Sequence, residues 1–265
     1  MSTIDVSAID VHAHYGTVHH QAGDATLKDR LMTGDAQTVV RRARMANTRL
    51  TIVSPLLGLM PRFGADSVAG NIEAVRVVAE TEGLGQWVIV DPLKPQTYDQ
   101  AVEMLAAPGC FGIKVHPEEH GYPIVEHGGA IFEFAAEHKA ILQTHSGEQN
   151  SLPEDFVTFA NEFPRVKLIV SHLGCGWDDD PAHQVRAIQA SKHGNVFTDT
   201  SSAVGITSGL LEWAVAEIGA DRILYGTDTP LYFAPMQRVR VDNAEISDED
   251  KRMILCENAE WLFNL

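Results

Sequence analysis

The run AIDVHAH (8–14) decides how this chain is to be read. It starts apolar and ends on two histidines separated by one residue. On an extended strand, side chains two apart share a face, so His12 and His14 point the same way. Seven later runs repeat the form: RLTIVSP (49–55), QWVIVDP (86–92), FGIKVHP (111–117), AILQTHS (140–146), VKLIVSH (166–172), NVFTDTS (195–201) and RILYGTD (222–228). Most are rich in Val, Ile and Leu and turn polar only at their last residues, as strands buried on both faces do.

Stretches with helical apolar spacing lie between these runs. NIEAVRVVAETEG (71–83) and GLLEWAVAEIGA (209–220) are the clearest, each closing on a glycine or another small residue. SDEDKRMILCENAEWLF (247–263) begins with a Ser247/Asp250 pairing of capping-box type and reads as the eighth helix. Strand starts recur roughly every 30 residues, the length of one βαβ unit. Eight such units in 265 residues predict an α/β protein, a single (β/α)8 TIM barrel over 1–265. A doubly wound open sheet is the competing fold, but no Gly-rich phosphate turn supports it. The longest segments expected to be non-helical are 55–70 and 229–245, both on the face where a barrel carries its chemistry.

The composition excludes several classes of function. With 20 Lys+Arg against 36 Asp+Glu the net charge is −16, which disfavours nucleic acid and anionic membranes as partners. No apolar run approaches the roughly 18–20 residues that span a bilayer. Cys110, Cys175 and Cys256 are odd in number and lack a CxxC pair, so no disulfide framework follows. The N-terminus MSTIDVSAID shows no secretory pattern. A soluble cytoplasmic enzyme acting on a small molecule is expected.

Five of the twelve histidines end predicted strands: His12, His14, His116, His145 and His172, with Asp228 ending the eighth. Turned outward, each imidazole needs a buried partner, at about 1–3 kcal/mol if unsatisfied. Turned inward at one end of a barrel, they converge on a single ion. Neutral imidazoles with a carboxylate suit zinc and other borderline divalent metals. A lone HxH, or His145 or His172 by itself, has an ordinary reading as a hydrogen-bonded core histidine; the combination points to metal.

VHAH, GIKVHP, QTHSGE, SHLG and LYGTDTP, on strands 1, 4, 5, 6 and 8, resemble the amidohydrolase superfamily. More narrowly, the set is similar to the amidohydrolase-related family that includes aminocarboxymuconate-semialdehyde decarboxylase. Asn71, VDP (90–92), DTSS (199–202) and ENAEWLF (257–263) support the resemblance along nearly the whole chain. It implies His12, His14, His145 and Asp228 as ligands of one divalent metal, zinc being expected. It implies His172 as the histidine that orients water and substrate, or binds a second ion. Lys114 has two readings: a carbamylated bridge between two metals, or a cation facing a substrate or an acid. His116 and Arg62 are candidate substrate contacts, Arg62 as a bidentate clamp for a carboxylate. Asp228 is expected to carry the proton in catalysis. Family analogy and the apolar loops also imply a homo-oligomer.

The reaction this favours is metal-dependent hydrolysis of a C–N or C–O bond in an amide, cyclic amide or lactone. The alternative is a metal-dependent, non-oxidative decarboxylase of a small carboxylated substrate. Chain length tilts the expectation toward the hydrolase, because decarboxylase relatives tend to be longer and to carry an inserted lid. A metal-free lactonase and a non-enzymatic binding barrel are the remaining readings; neither has a use for the full ligand set.

Overall fold

The computed structural model describes residues 4–20 and 24–265; the first three residues of the stretch read for a leader lie outside it. Eight parallel strands stand in sequence order: β1 (Ala8–Tyr15), β2 (Thr48–Pro55), β3 (Leu84–Ile89), β4 (Cys110–Val115), β5 (Leu142–Thr144), β6 (Leu168–Val170), β7 (Val196–Asp199) and β8 (Ile223–Leu224). Just past β8 the chain pairs with β1 and closes the barrel. Val11 N donates to Tyr225 O (2.9 Å), Asp228 N to His12 O (2.8 Å) and His14 N to Thr229 O (2.7 Å). The fold is the (β/α)8 barrel read from the sequence.

Each apolar run overlaps one strand, but β5, β6 and β8 stop short of the polar ends of their runs. Those end residues leave the ladder and turn toward the mouth of the barrel. Ile9, Val11, Ile52, Trp87, Ile169, Phe197 and Leu224 pack together, and Ala259 and Leu262 of the C-terminal helix pack against them. A larger apolar layer joins Val88, Val90, Ile113, Leu142 and Val170 to Ile131, Phe132 and Phe156 of the outer helices. At about 25 cal/mol per Å² of apolar surface removed from water, these layers dominate the stability.

Two loop expectations are corrected. The helix expected from Asn71 spans Ser67–Glu80, started by Asp66, whose side chain accepts from Ala69 N (3.0 Å). Asn71 therefore sits inside it, and its amide bonds both Ile89 O and Ile89 N at 2.8 Å. The segment 229–245 contains a helix, Ala234–Asp242. Pro235 there opens the helix, because a first-turn proline gives up an N–H that lacks a partner anyway. The Ser247/Asp250 capping box forms as read. Among the described residues, no helix is long and apolar enough to cross a membrane.

Candidate functional site

β1 carries a register shift between Asp10 and Ala13, in the stretch that aims His12. Asp10 is buried beside it and ties β1 to the end of β8. Its carboxylate accepts from His12 N (3.1 Å), Thr227 N (3.1 Å) and Thr227 Oγ1 (2.6 Å). Asp228 is the next residue, so one anchor sets the separation between the VHAH strand and the aspartate. Asp228 and His172 both adopt left-handed backbone, φ 55° and 72°. Non-glycine residues hold that conformation at a cost of about 1–3 kcal/mol, and such strain gathers at functional sites.

The two strand-1 imidazoles are fixed through Nδ1. His14 Nδ1 lies 3.1 Å from Ser54 O, a carbonyl that can only accept, so Nδ1 carries the proton. His12 Nδ1 lies 3.1 Å from Asp199 Oδ2 and 3.2 Å from Ser201 Oγ. In the neutral rings Nε2 is then the lone-pair atom. His14 Nε2 is 3.1 Å, and His12 Nε2 3.7 Å, from Asp228 Oδ1. That oxygen is buried and makes no well-angled hydrogen bond. The three side chains each offer a ligand atom within 4.8 Å of the others. Lys114 Nζ lies near His12 Nε2, but His14 Nε2 and Asp228 Oδ1 face each other with no donor between them; such lone pairs repel unless a cation lies among them, so the set fits a divalent metal.

The electrostatics agree. Burial lowers His12 to about 4, helped by the Lys114 charge and opposed by Asp199. Burial, with His12 and His145 nearby, drives His172 well below its ordinary value. Burial pushes Asp228 up, but His14, His12 and His172 outweigh it and hold the carboxyl at about 2. Neutral imidazoles around a carboxylate are the protonation states that ligation requires.

The remaining predicted residues divide. His145, His116, His172 and Arg62 line the same cavity, of about 290 Å³, as His12, His14 and Asp228. His145, however, points Nε2 at Glu148 Oε1 (2.9 Å) and stacks on His116 at 4.3 Å, and the converging triad does not include it. His172 Nδ1 is held by Ser201 Oγ at 2.8 Å. Lys114 is fully buried below the cavity, its Nζ 3.2 Å from His12 Nε2 and 3.3 Å from Gln143 Oε1. Arg62 is engaged by Glu119 (3.0 Å) and Glu148 (3.6 Å).

Sequence reasoning gave no role to Asp199, Glu119 or Glu148. Asp199 bridges His12 Nδ1, His172 N and Ser201, with burial opposing its ionisation and His12 holding it well below the carboxylate range. Such a carboxylate behind a ligand histidine fixes its tautomer. The signal was DTSS at the end of the seventh run.

The amidohydrolase family model matches residues 9–265, and the chain belongs to that family. The gamma-resorcylate decarboxylase of Polaromonas sp. (strain JS666 / ATCC BAA-500) is 30% identical over 119 residues. That match covers 40% of this chain and 36% of the relative, so the chain spans about a third of the curated relative's length. Among solved structures, the 2,6-dihydroxybenzoate decarboxylase from Rhizobium superposes with TM-score 0.71 at 15% identity, covering 97% of this chain and 98% of that one. The dihydroxybenzoic acid decarboxylase from Polaromonas sp. JS666, with bound manganese and the inhibitor 2-nitroresorcinol, gives TM-score 0.74 at 18% identity, covering 98% and 97%. The 5-carboxyvanillate decarboxylase from Sphingomonas paucimobilis gives 0.72 at 13%, covering 97% and 99%.

These findings overturn the expected hydrolase of C–N or C–O bonds, since the relative and these structures are decarboxylases. Length does not separate the two reactions, because this 265-residue chain spans the decarboxylase fold almost end to end. Strand-end ligands are common to both chemistries and do not choose between them.

Proposed function

We propose that this protein is a metal-dependent, non-oxidative decarboxylase of a small aromatic carboxylate. The observation that carries the metal-dependent part of the reading is the cavity itself: buried Asp228 on its floor among His12 and His14, with Arg62 at its wall. The choice of decarboxylation over hydrolysis is supported by the decarboxylases similar to this chain.

His12, His14, His145 and Asp228 would hold one divalent ion, His145 exchanging its present bond to Glu148. When bound, the ion supplies a positive charge that draws in the substrate's oxygens and offsets charge building on the ring. The donor set favours zinc; manganese is the ion in one of the similar decarboxylase structures. Lys114, buried against His12 and Gln143, remains an amine and contributes charge beneath a one-metal centre. Losing carbon dioxide from an aromatic ring requires a proton on the ring carbon before the C–C bond breaks. Asp228 carries that proton, taken from water whose hydroxide returns to solvent, to the carbon bearing the carboxylate. The C–C bond then breaks, its electron pair restores the ring, and carbon dioxide leaves. His172, fixed by Ser201, orients the ring's oxygen substituents. His116 and Arg62 contact the substrate, Arg62 exchanging Glu148 for its carboxylate. The protein works in the cytoplasm, as a homo-oligomer.

The test is carbon dioxide release from a panel of hydroxybenzoates by enzyme of known metal content. Release at one equivalent of metal per chain supports the reading. Hydroxybenzoates returned intact by fully loaded enzyme would sink it.

A further inference from the structure

The loop after β1 carries a histidine–carboxylate pair that the mechanism above does not use. His20 lines the cavity, and its side chain is 41% exposed against 6% for His14 and 8% for Asp228, so it stands at the rim. Its Nδ1 lies 2.5 Å from Asp29 Oδ1, a carboxylate only 4% exposed. The other oxygen of Asp29 accepts from Thr26 N and Thr26 Oγ1, both at 2.8 Å, in the capping box of the helix Leu27–Met32. This assembly is tied to the barrel. Thr33 Oγ1 donates to Asp29 O and accepts from Val18 N, each at 2.9 Å, and Gly16 and Gly34 pair backbone to backbone at 2.7 and 3.1 Å.

A histidine whose Nδ1–H is committed to a buried carboxylate presents Nε2, on the opposite edge of the ring, as an acceptor. We infer that His20, set by Asp29, is a specificity-determining residue that accepts a hydrogen bond from a hydroxyl on the substrate's far end. This rests on the decarboxylase reading and deepens it. With the carbon that takes the proton held against Asp228 on the floor, the ring position nearest the rim is the one across from it. The substrate class is therefore a para-hydroxylated aromatic carboxylate. Accepting from that hydroxyl raises electron density in the ring, which favours protonation at the carbon across from it.

The experiment compares 4-hydroxybenzoate with benzoate, by calorimetry on the metal-loaded protein. Wild type should prefer the hydroxylated ligand about tenfold, the worth of one good hydrogen bond in a partly buried site. His20→Phe should bring that ratio close to one at unchanged metal content, and Asp29→Asn should reduce it. A ratio near one in wild type, a ratio unmoved by His20→Phe, or no binding of either ligand overturns the inference. A His20-dependent preference without carbon dioxide release from any hydroxybenzoate leaves the assignment standing and sinks the reaction. Carbon dioxide release with a ratio indifferent to His20 does the reverse.

Discussion

His12, His14 and Asp228 at the barrel mouth, and Asp178, Asp180 and His183 after β6, offer the same donor types at the same spacing. Their surroundings differ. In the outer group both His183 nitrogens are taken, Nδ1 by Glu154 (2.8 Å) and Nε2 by Asp178 (3.0 Å). Arg186 adds a guanidinium 2.7 Å from Asp180 and 3.2 Å from Glu154, and the carboxylates reach solvent. In the inner group the Nδ1 atoms are committed and Lys114 Nζ reaches His12 Nε2, while His14 Nε2 and Asp228 Oδ1 meet at 3.1 Å without a donor between them, among side chains nearly closed to solvent. Composition and spacing thus nominate a metal site, but it is the unmet lone pairs that distinguish one from a satisfied ion-pair network.

Breaking the inner group should have the largest effect. Asp228→Asn is expected to cut carbon dioxide release by about 10²–10⁴-fold, the usual worth of a positioned proton carrier. Metal per chain should fall with it, while circular dichroism and the melting temperature stay close to wild type. A fully active Asp228→Asn protein would remove Asp228 from the mechanism. Next in size is Asp199→Asn, which leaves every ligand in place but loosens the His12 tautomer. Metal affinity should drop about 10–100-fold, measured by competition with a chromogenic chelator. An unchanged affinity would mean that the Asp199–His12 contact serves only the fold. Smaller again is Arg62→Ala. Trading one clamp for water should raise KM about tenfold with a lesser change in kcat. A fall in kcat alone would assign Arg62 to the chemistry rather than to binding.

How much of this contrast was legible in the sequence depends on the kind of signal. The eight apolar runs and the strand-end histidines follow from backbone periodicity, which survives in a linear reading. The need for glycine at 226 in LYGTDTP was not legible, because the close approach it permits, 3.1 Å from a Cβ there to the Cβ atoms of His12 and Ser201, exists only in the closed barrel. The pairing of Asp199 with His12 was not legible, since 187 residues separate them and only barrel closure brings the end of β7 within reach of β1. His145 ends its run and the family resemblance implies it as a ligand; that Glu148, three residues on, holds its Nε2 was not legible. The reaction was misread because chain length tilted the expectation toward the hydrolase, while the strand-end ligands serve both chemistries and do not choose between them.

The outer group supplies the smallest effect and the sharpest control. His183→Gln should leave metal content and turnover untouched, and alter stability only on the acid side. Burial pushes the His183 pKa down, but its bonds to Asp178 and Glu154 override this and leave it above the ordinary 6.5. The folded protein then binds this proton more tightly than the unfolded chain. The stabilisation is complete below pH 6.5 and is lost as pH rises through the folded value. For an ion pair whose carboxylates reach solvent it amounts to less than about 1 kcal/mol. Urea midpoints for wild type and His183→Gln should differ at pH 5.5 and converge by pH 9.5. An equal loss at both would assign His183 to packing. A loss of bound metal in this variant would overturn the comparison itself, because the paired outer cluster would then be holding an ion.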